Sequence, residues 1–244
     1  MAIIIAISNN KGGVAKTTTC MSLGACLAEL GHRTLLVDLD PQADLTLAAG
    51  LNADTLTWSV ADLLNSDSDS SEERTGIYFT AMDKLHILPS NPHLASVERL
   101  LYERADYKEI LKRRLARWRN VYDYILMDCP PALGGLVFMA FTAARWVIIP
   151  VQCEYYAARR LTRLLDVIAI VQERVNPQLS AYLLATMHDQ RTRISQRVLE
   201  QLKSNFPERL LDTVIGVDTR LRESPATGEP IVLYACLLYT SDAA

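Results

Sequence analysis

The stretch KGGVAKTT at residues 11–18 decides the fold of this 244-residue chain. It follows the apolar run IIIAI at residues 3–7 and precedes a segment with helical periodicity, so the order is strand, glycine-bearing loop, helix. A triphosphate in such a loop meets consecutive backbone N–H groups and the positive end of a helix dipole. We therefore expect a nucleotide-binding loop in which Lys16 contacts the β- and γ-phosphates and Thr17 contacts Mg²⁺.

The loop departs from the usual pattern G-x-x-x-x-G-K-[ST] at both glycines, where Asn10 and Ala15 stand instead. If the backbone at Ala15 needs a positive φ, its methyl group costs roughly 1 kcal/mol, which a preorganised loop tolerates. The departures weaken the motif without excluding a nucleotide. The residues expected to hold it are Lys11, Gly12, Gly13, Val14, Ala15, Lys16, Thr17 and Thr18.

Composition limits the classes of function. Half of the residues are hydrophobic, so the chain can bury a sizeable core. The formal net charge is -3, so any contact with nucleic acid must come from a local basic patch. The five cysteines are scattered without a C-x-x-C pair, which argues against a thiolate metal site and suits a reducing cytoplasm. No basic leader and no apolar stretch of ~20 residues is present, so we expect neither a secretory signal nor a transmembrane helix.

Short apolar runs alternate with amphipathic segments, which predicts an α/β fold with a mainly parallel sheet flanked by helices on both faces. We expect strands at 3–8, 33–38, 84–88, 122–127, 146–151, 182–187 and 212–215. We expect helices at 17–30, 56–64, 93–104, 106–119, 135–143, 157–174 and 193–205. In such sheets, ligands bind beyond the carboxyl ends of the strands. The acidic stretch at residues 66–73 has no apolar periodicity and is interpreted as a solvated loop.

Two aspartates end the expected second strand. Asp38 and Asp40 close the run TLLV at residues 34–37, and alternation along a strand places both carboxylates on one side of it. One of them can serve Mg²⁺ and the other a water molecule. The alternative is a pair of capping aspartates before Pro41.

Taken together, these motifs resemble the deviant Walker A ATPases and, among them, the ParA-type (Soj-like) partition ATPases. The resemblance is carried by the second loop lysine, Lys11, and by VDLDPQ at 37–42, DCPP at 128–131 and PVQCEYY at 150–156. It extends from about residue 3 to residue 234. It implies the P-loop NTPase fold, ATP and Mg²⁺ as cofactors, and slow hydrolysis of ATP that a partner stimulates.

The resemblance also implies roles for the acidic residues. Asp40 positions or activates the attacking water, and Asp38 lies close to the metal. Asp128 resembles the Walker B aspartate, which holds Mg²⁺ through a bridging water. The loop after it contains Gly134 and Gly135 and is expected to respond to the γ-phosphate.

Lys11 has two interpretations. A single loop lysine is by default solvated, whereas the family inserts a lysine at this place across a dimer interface, toward the phosphates of the partner. Its setting between Asn10 and Gly12 favours the second. A lysine donated in trans offsets the repulsion between two facing nucleotides, so we expect a homodimer that forms on ATP binding.

The segment at residues 217–231 resembles the family's late loop beside the adenine, and its prolines and glycine predict a turn-rich platform. From it we expect Asp218 and Pro225 to contact the nucleotide. The alternative is an ordinary loop between a strand and a helix.

Non-specific DNA is a further expected partner, because ParA-like dimers bind it through basic side chains spread over one face. The candidates are Arg191, Arg193, Arg220 and Arg222. A second basic cluster is interpreted as a solvated helix face; it comprises Lys112, Arg113, Arg114, Arg117 and Arg119. Either interpretation fits Arg159, Arg160 and Arg163.

The function predicted from these features is an ATP-dependent switch that drives chromosome or plasmid partitioning at the nucleoid, in the cytoplasm of a bacterium or archaeon, with a ParB-like centromere-binding adaptor. The alternative is a MinD-like positioning ATPase on a membrane surface, which needs a basic amphipathic helix at the C-terminus. The sequence has none, so no stable membrane association is expected. An iron–sulfur reductase of the nitrogenase type is a third possibility, but Cys20 and Cys129 do not match its cluster cysteines.

The end of the chain differs from the family. After residue 234, the resemblance implies a polar turn and a final amphipathic helix, whereas residues 235–244 read ACLLYTSDAA. We therefore expect an ATPase domain over residues 1–234 and an atypical tail over 235–244.

Overall fold

The structure is a computed structural model that describes residues 1–66, 76–154 and 157–234. The side chains of residues 157–160, 222 and 225 lie outside the description, so Arg159, Arg160, Arg222 and Pro225 are described by backbone alone. Most of the expected acidic loop, both tyrosines at 155 and 156 and the expected tail also lie outside the described residues. Among the described helices, none combines the length and the hydropathy that a membrane-spanning segment requires.

The strands of the described chain are β1 (Ile3–Ile7), β2 (Thr34–Asp38), β3 (Tyr78–Phe79), β4 (Leu85–Leu88), β5 (Tyr124–Asp128), β6 (Trp146–Gln152), β7 (Ser180–His188) and β8 (Leu210–Gly216). They form one sheet in the order β3-β4-β2-β5-β1-β6-β7-β8. Every pair is parallel except β3 with β4. The expected α/β fold with a mainly parallel sheet is therefore confirmed.

The helices are α1 (Lys16–Glu29), α2 (Asp44–Ala48), α3 (Val60–Asn65), α4 (Leu94–Leu101), α5 (Tyr107–Leu115), α6 (Gly135–Ala143), α7 (Ala157–Arg174), α8 (Arg193–Asn205) and α9 (Arg220–Thr227). Short 3₁₀ turns lie at Ala53–Thr55 and Ala116–Trp118. Residues of α1 and α2 belong to one hydrophobic core, and residues of α3 to α8 belong to a second, larger one. The sheet separates the two cores.

Alternation along β1 shows how the sheet divides the cores. Ile4 and Ala6 pack into the larger core, whereas Ile5 and Ile7 pack into the smaller one. Successive side chains of a strand point to opposite faces, and here both faces are covered by helices. This is why the central strands have continuous apolar sequences rather than an alternation of apolar and polar residues.

All expected strands and helices are present, but three short elements were missed: α2, β3 and α9. The expectation of a turn-rich platform at residues 217–231 is wrong, because α9 occupies the middle of that segment. The carboxylate of Asp218 accepts a hydrogen bond from the backbone N–H of Arg220 at 2.9 Å, which satisfies a free donor of the first helical turn.

The second basic cluster also needs a correction. Arg114 is only 4% exposed, and its guanidinium donates to the backbone oxygen of Ser66. The cluster is therefore not a wholly solvated helix face. Its neighbours Lys112 and Arg113 do lie at the surface, where they pair with acidic residues of the same region.

Candidate nucleotide-binding site

The glycine-bearing loop joins β1 to α1 and is fastened to the neighbouring strands by side chains. Asn9 donates from Nδ2 to the carbonyl oxygen of Pro150 in β6 at 2.6 Å, and its Oδ1 accepts the backbone N–H of Lys11 at 3.0 Å. Thr186 of β7 donates from its hydroxyl to the carbonyl oxygen of Val14 at 3.2 Å. The loop is thus preorganised from both ends. Sequence reasoning missed Asn9 and Thr186, because Asn9 reaches Pro150 and Thr186 reaches Val14 across a large distance along the chain.

The loop turns into α1 through residues with left-handed backbones. Gly13 has a φ of 71° and Ala15 a φ of 69°, so the positive φ considered at Ala15 is present. No side chain of the described residues caps the start of α1 at Ala15. Its first N–H groups therefore remain available to an anion, and a Cβ added at Gly12 or Gly13 would meet no described atom within 4 Å. This is a cradle that phosphate oxygens can fill.

Lys16 lies at the first position of α1 with its side chain folded over the loop. It is 7% exposed, and its Nζ donates to the carbonyl oxygen of Lys11 at 3.1 Å. The ammonium group therefore lies at the phosphate cradle.

Thr17 and Asp128 meet beside the cradle. The hydroxyl of Thr17 donates to Oδ2 of Asp128 at 2.6 Å. Oδ1 of Asp128 is buried and has no hydrogen-bond partner among the described residues. Burial raises the pKa of Asp128 well above its ordinary range, and the nearby Asp38 raises it further. A hydroxyl and a buried carboxylate with a free oxygen are ligands that suit Mg²⁺.

Asp38 and Asp40 are used differently. Asp38 is fully buried, and its two oxygens accept the N–H of Asp40 at 3.0 Å and the N–H and hydroxyl of Thr46 at 2.9 and 2.7 Å. Burial raises the pKa of Asp38 to about 7, although these donors oppose the rise. The hydroxyl of Thr46 also accepts the backbone N–H of Ser90 at 2.9 Å. Asp38 thus anchors the segment after β2, and its place near a metal stays a prediction.

Asp40 lies two residues further, beyond the end of β2, and is partly exposed. One of its oxygens accepts the backbone N–H of Gln42 at 3.0 Å. Asp38 is buried whereas Asp40 is partly exposed, so the two carboxylates lie in different environments. Asp40 is the one of the two that solvent can reach, which suits contact with a water molecule.

The loop after β5 is held at its far end by a carboxylate from another helix. Oε1 of Glu98, in α4, accepts the backbone N–H of Leu136 at 3.1 Å. A Cβ at Gly134 would lie 2.7 Å from that same oxygen, and one at Gly135 would lie 2.8 Å from the ring of Tyr102. The absence of a Cβ at both glycines therefore lets these two side chains approach the loop closely. The response of this loop to a γ-phosphate stays a prediction, and sequence reasoning missed the contacts with Glu98 and Tyr102.

A cavity of about 480 Å³ opens beside the first turns of α1. Its wall includes Ala15 and Thr18 from the loop and α1, Thr186 and Met187 from β7, and Asp218 from the segment after β8. It continues as an apolar groove between α1 and strands β6 to β8. Asp218 therefore lines the same cavity as Ala15 and Thr18, and its contact with adenine stays a prediction.

The predicted DNA-binding arginines lie at the same edge of the sheet. Arg191 is exposed, and its guanidinium contacts both oxygens of Asp189 at 2.9 and 3.0 Å; this contact lowers the pKa of Asp189 to about 2. Arg220 pairs with Asp218 at 2.7 Å. Arg191 and Asp218 line one cavity. Arg193 begins α8 and is exposed, and the backbone of Arg222 lies in α9.

Comparisons with known proteins place these residues in context. The AAA_31 family, described as an AAA domain, matches residues 2–181. The sporulation initiation inhibitor protein Soj of Bacillus subtilis is 43% identical over 96% of this chain and 92% of its own length. The chromosome partitioning protein ParA of Myxococcus xanthus is 38% identical over 95% of this chain and 81% of its own length.

A solved structure has a similar fold. It is named cobyrinic acid a,c-diamide synthase from Mycobacterium smegmatis and holds an ATP analogue and magnesium. The TM-score is 0.83 at 40% identity, over 90% of this chain and 86% of that chain. Its name describes a different activity from the names of the two relatives.

Proposed function

Because this chain belongs to the AAA_31 family and, within it, to the ParA and Soj partition ATPases, we propose that it is a Mg²⁺-dependent ATPase switch that drives chromosome or plasmid partitioning. In this proposal, residues 1–234 are the ATPase domain. The ATP-bound form is a homodimer that binds DNA without sequence preference, and slow hydrolysis, stimulated by a ParB-like adaptor, releases it.

The observation that carries the proposal is the buried, half-satisfied carboxylate of Asp128 beside the phosphate cradle. Thr17 and Asp128 would hold Mg²⁺, and Asp38 would lie close to the metal. Lys16 would contact the β- and γ-phosphates. Mg²⁺ would neutralise charge that develops on the phosphates. Asp40, which solvent reaches, would orient the attacking water. Adenine would lie in the cavity lined by Asp218, and Pro225 would also contact the nucleotide.

The switch in this proposal is the loop between Asp128 and α6. Its beginning is next to the metal ligands, and its end is held by Glu98 through the N–H of Leu136. A γ-phosphate favours one of two arrangements of such a loop, because it interacts differently with each. Lys11 would cross to the second copy and offset the charge of two facing nucleotides.

DNA binding would use Arg191, Arg193, Arg220 and Arg222. The carboxylates that pair with two of these arginines do not prevent it, since exposed ion pairs contribute little to stability and a DNA phosphate can replace the carboxylate. Binding to phosphates alone carries no sequence information and weakens steeply with salt. The complex would act in the cytoplasm, on the nucleoid.

The test is co-sedimentation with DNA in the presence of ATP, ADP or no nucleotide. We expect binding only with ATP, loss of binding in Lys16→Ala, and weaker binding in Arg191→Ala. Arg33→Ala is the matched control, because Arg33 is an exposed arginine paired with Asp123 at the opposite edge of the sheet. Equal binding in all nucleotide states would contradict the switch. Preference for anionic liposomes over DNA would instead favour the MinD-like alternative.

A further inference from the structure

Lys11 is held within its own subunit by two side chains at the end of β6. Its Nζ donates to Oε1 of Gln152 at 2.8 Å and to Oε2 of Glu154 at 2.7 Å. Gln152 also donates from Nε2 to the other oxygen of Glu154, so the three side chains form a closed set. The side chain of Lys11 is 28% exposed and that of Glu154 is 57% exposed, which places the ion pair at the rim of the site.

The backbone of Lys11 is held independently of its side chain. Its N–H donates to Asn9, and its carbonyl oxygen accepts from Lys16. The side chain can therefore change direction while the phosphate cradle keeps its shape. An ammonium group directed at β6 of its own subunit cannot at the same time extend to a second copy of the chain.

We propose that Glu154, aided by Gln152, is a positioning residue that retains Lys11 in cis and so opposes dimerisation until ATP is bound. The inference rests on the ATP-dependent dimer of the proposed function. A triphosphate carries more negative charge than one carboxylate, and it binds in a less exposed place, so it attracts the ammonium group of Lys11 more strongly. When ATP is bound, Lys11 therefore leaves Glu154 of its own subunit and contacts the nucleotide of the second copy. In the absence of that nucleotide, Lys11 keeps its ion pair with Glu154 of its own subunit.

The size of the effect follows from the exposure of the pair and from symmetry. Exposed ion pairs shift an equilibrium by a factor of about 1.5 to 5. A two-fold symmetric dimer must release Lys11 in both copies, so the factor enters twice. Removing the charge of Glu154 should therefore lower the dissociation constant of the dimer by a factor of about 2 to 25.

The experiment compares the wild type with Glu154→Gln and with Glu208→Gln. Glu208 is exposed and precedes β8, at the edge of the sheet opposite the site, so its variant makes the same change in net charge far from Lys11. Sedimentation with Mg²⁺ and a non-hydrolysable ATP analogue measures the dissociation constant of the dimer. Acylation of amines in the nucleotide-free protein, read by mass spectrometry, measures access to Lys11 relative to the exposed Lys203.

We expect Glu154→Gln to tighten the dimer and to speed acylation of Lys11, and Glu208→Gln to do neither. Wild-type protein that stays monomeric with the analogue would contradict the proposed function itself. A wild type that dimerises normally, beside a Glu154→Gln variant with an unchanged or weaker dimer, would overturn only the role of Glu154. Unchanged acylation of Lys11 in that variant would also overturn it, because the cis contact would then not be what holds the lysine.

Discussion

The hydroxyl of Thr17, in the first turn of α1, donates to Oδ2 of Asp128, the last residue of β5, at 2.6 Å. The two residues are 111 positions apart in the sequence and meet because β1 and β5 are neighbours, with Ile7 opposite Asp128. The contact satisfies one oxygen of a buried carboxylate and leaves the other without a partner in the described part of the chain. A folded protein keeps such a group at a cost to its stability, which a bound cation removes.

Asp128→Asn tests that cost. We expect the variant to raise the free energy of unfolding of the nucleotide-free protein by about 1 kcal/mol, or about 2–4 °C in Tm, because a neutral amide replaces a buried carboxyl group. It should also lose the increase in Tm that Mg²⁺ and ATP give the wild type. Thermal unfolding followed by circular dichroism measures both. Asp123→Asn, at an exposed carboxylate, is the control and should keep the nucleotide effect. An Asp128→Asn variant that keeps it too would contradict the assignment.

Ala15→Gly tests the strain in the loop. Ala15 has a φ of 69°, which costs a residue with a Cβ about 1 kcal/mol relative to glycine, so the variant should raise the free energy of unfolding by up to about 1 kcal/mol. Ala25→Gly is the matched control, because Ala25 lies buried in the middle of α1 and glycine there should lower that free energy by about 1 kcal/mol or more. Urea unfolding measures both. Destabilisation by glycine at position 15 would show that the loop stores no such strain.

Glu98 and Gly134 should be energetically coupled. Glu98→Ala removes the side chain that accepts the N–H of Leu136, and we expect it to lower the free energy of unfolding by about 1 kcal/mol. Gly134→Ala should cost stability in the wild type, where its Cβ would lie 2.7 Å from Oε1 of Glu98, and less in the Glu98→Ala background. A double-mutant cycle by urea unfolding measures the difference. Strictly additive effects would mean that the two residues do not share the contact.

His86 should make stability depend on pH. Its Nδ1 lies 2.8 Å from the hydroxyl oxygen of Tyr122, and burial lowers the pKa of His86 below its usual value. As the pH falls below about 6.5, His86 binds a proton in the unfolded chain but not yet in the folded protein. Proton binding therefore favours the unfolded state, and the free energy of unfolding decreases. Urea unfolding at pH 7.5 and 5.5 should show a smaller loss in His86→Gln than in the wild type. An equal loss would contradict the effect.

Local patterns predicted most of the elements. Buried strands such as β2 and β5 need continuous apolar residues, and amphipathic helices such as α8 repeat their apolar positions every turn, so both are visible in any short window. Two of the missed elements, β3 and α2, are too short for a period to show, whereas α9 was missed because its proline and the glycine after it were interpreted as turn residues. β3 has two residues and forms only by pairing with β4, and α2 has five residues that the anchor at Asp38 holds in place.

For the candidate site, too, some features could be predicted from local sequence and others could not. The order of strand, loop and helix could be predicted because each motif is a short run of consecutive residues. The same holds for Lys16 and Thr17 at the start of α1, Asp128 at the end of β5 and Asp40 just beyond the end of β2. The burial of Asp38 by Thr46, the contact of Glu98 with α6 and the burial of Arg114 could not, since each depends on an element from elsewhere in the chain. Whether a polar group is buried depends on its neighbours in space, and these are not local in sequence.

The amino-acid sequence by itself determined the α/β class, the phosphate loop and the side chains available for chemistry, because periodicity and motif spacing are properties of neighbouring residues. Only the tertiary structure decided how those side chains are used. It buries Asp38 and leaves Asp40 within reach of solvent, and it brings Glu154 from the end of β6 to Lys11. The reason is that parallel strands distant in sequence end at one edge of the sheet, where their side chains come within hydrogen-bond distance of one another.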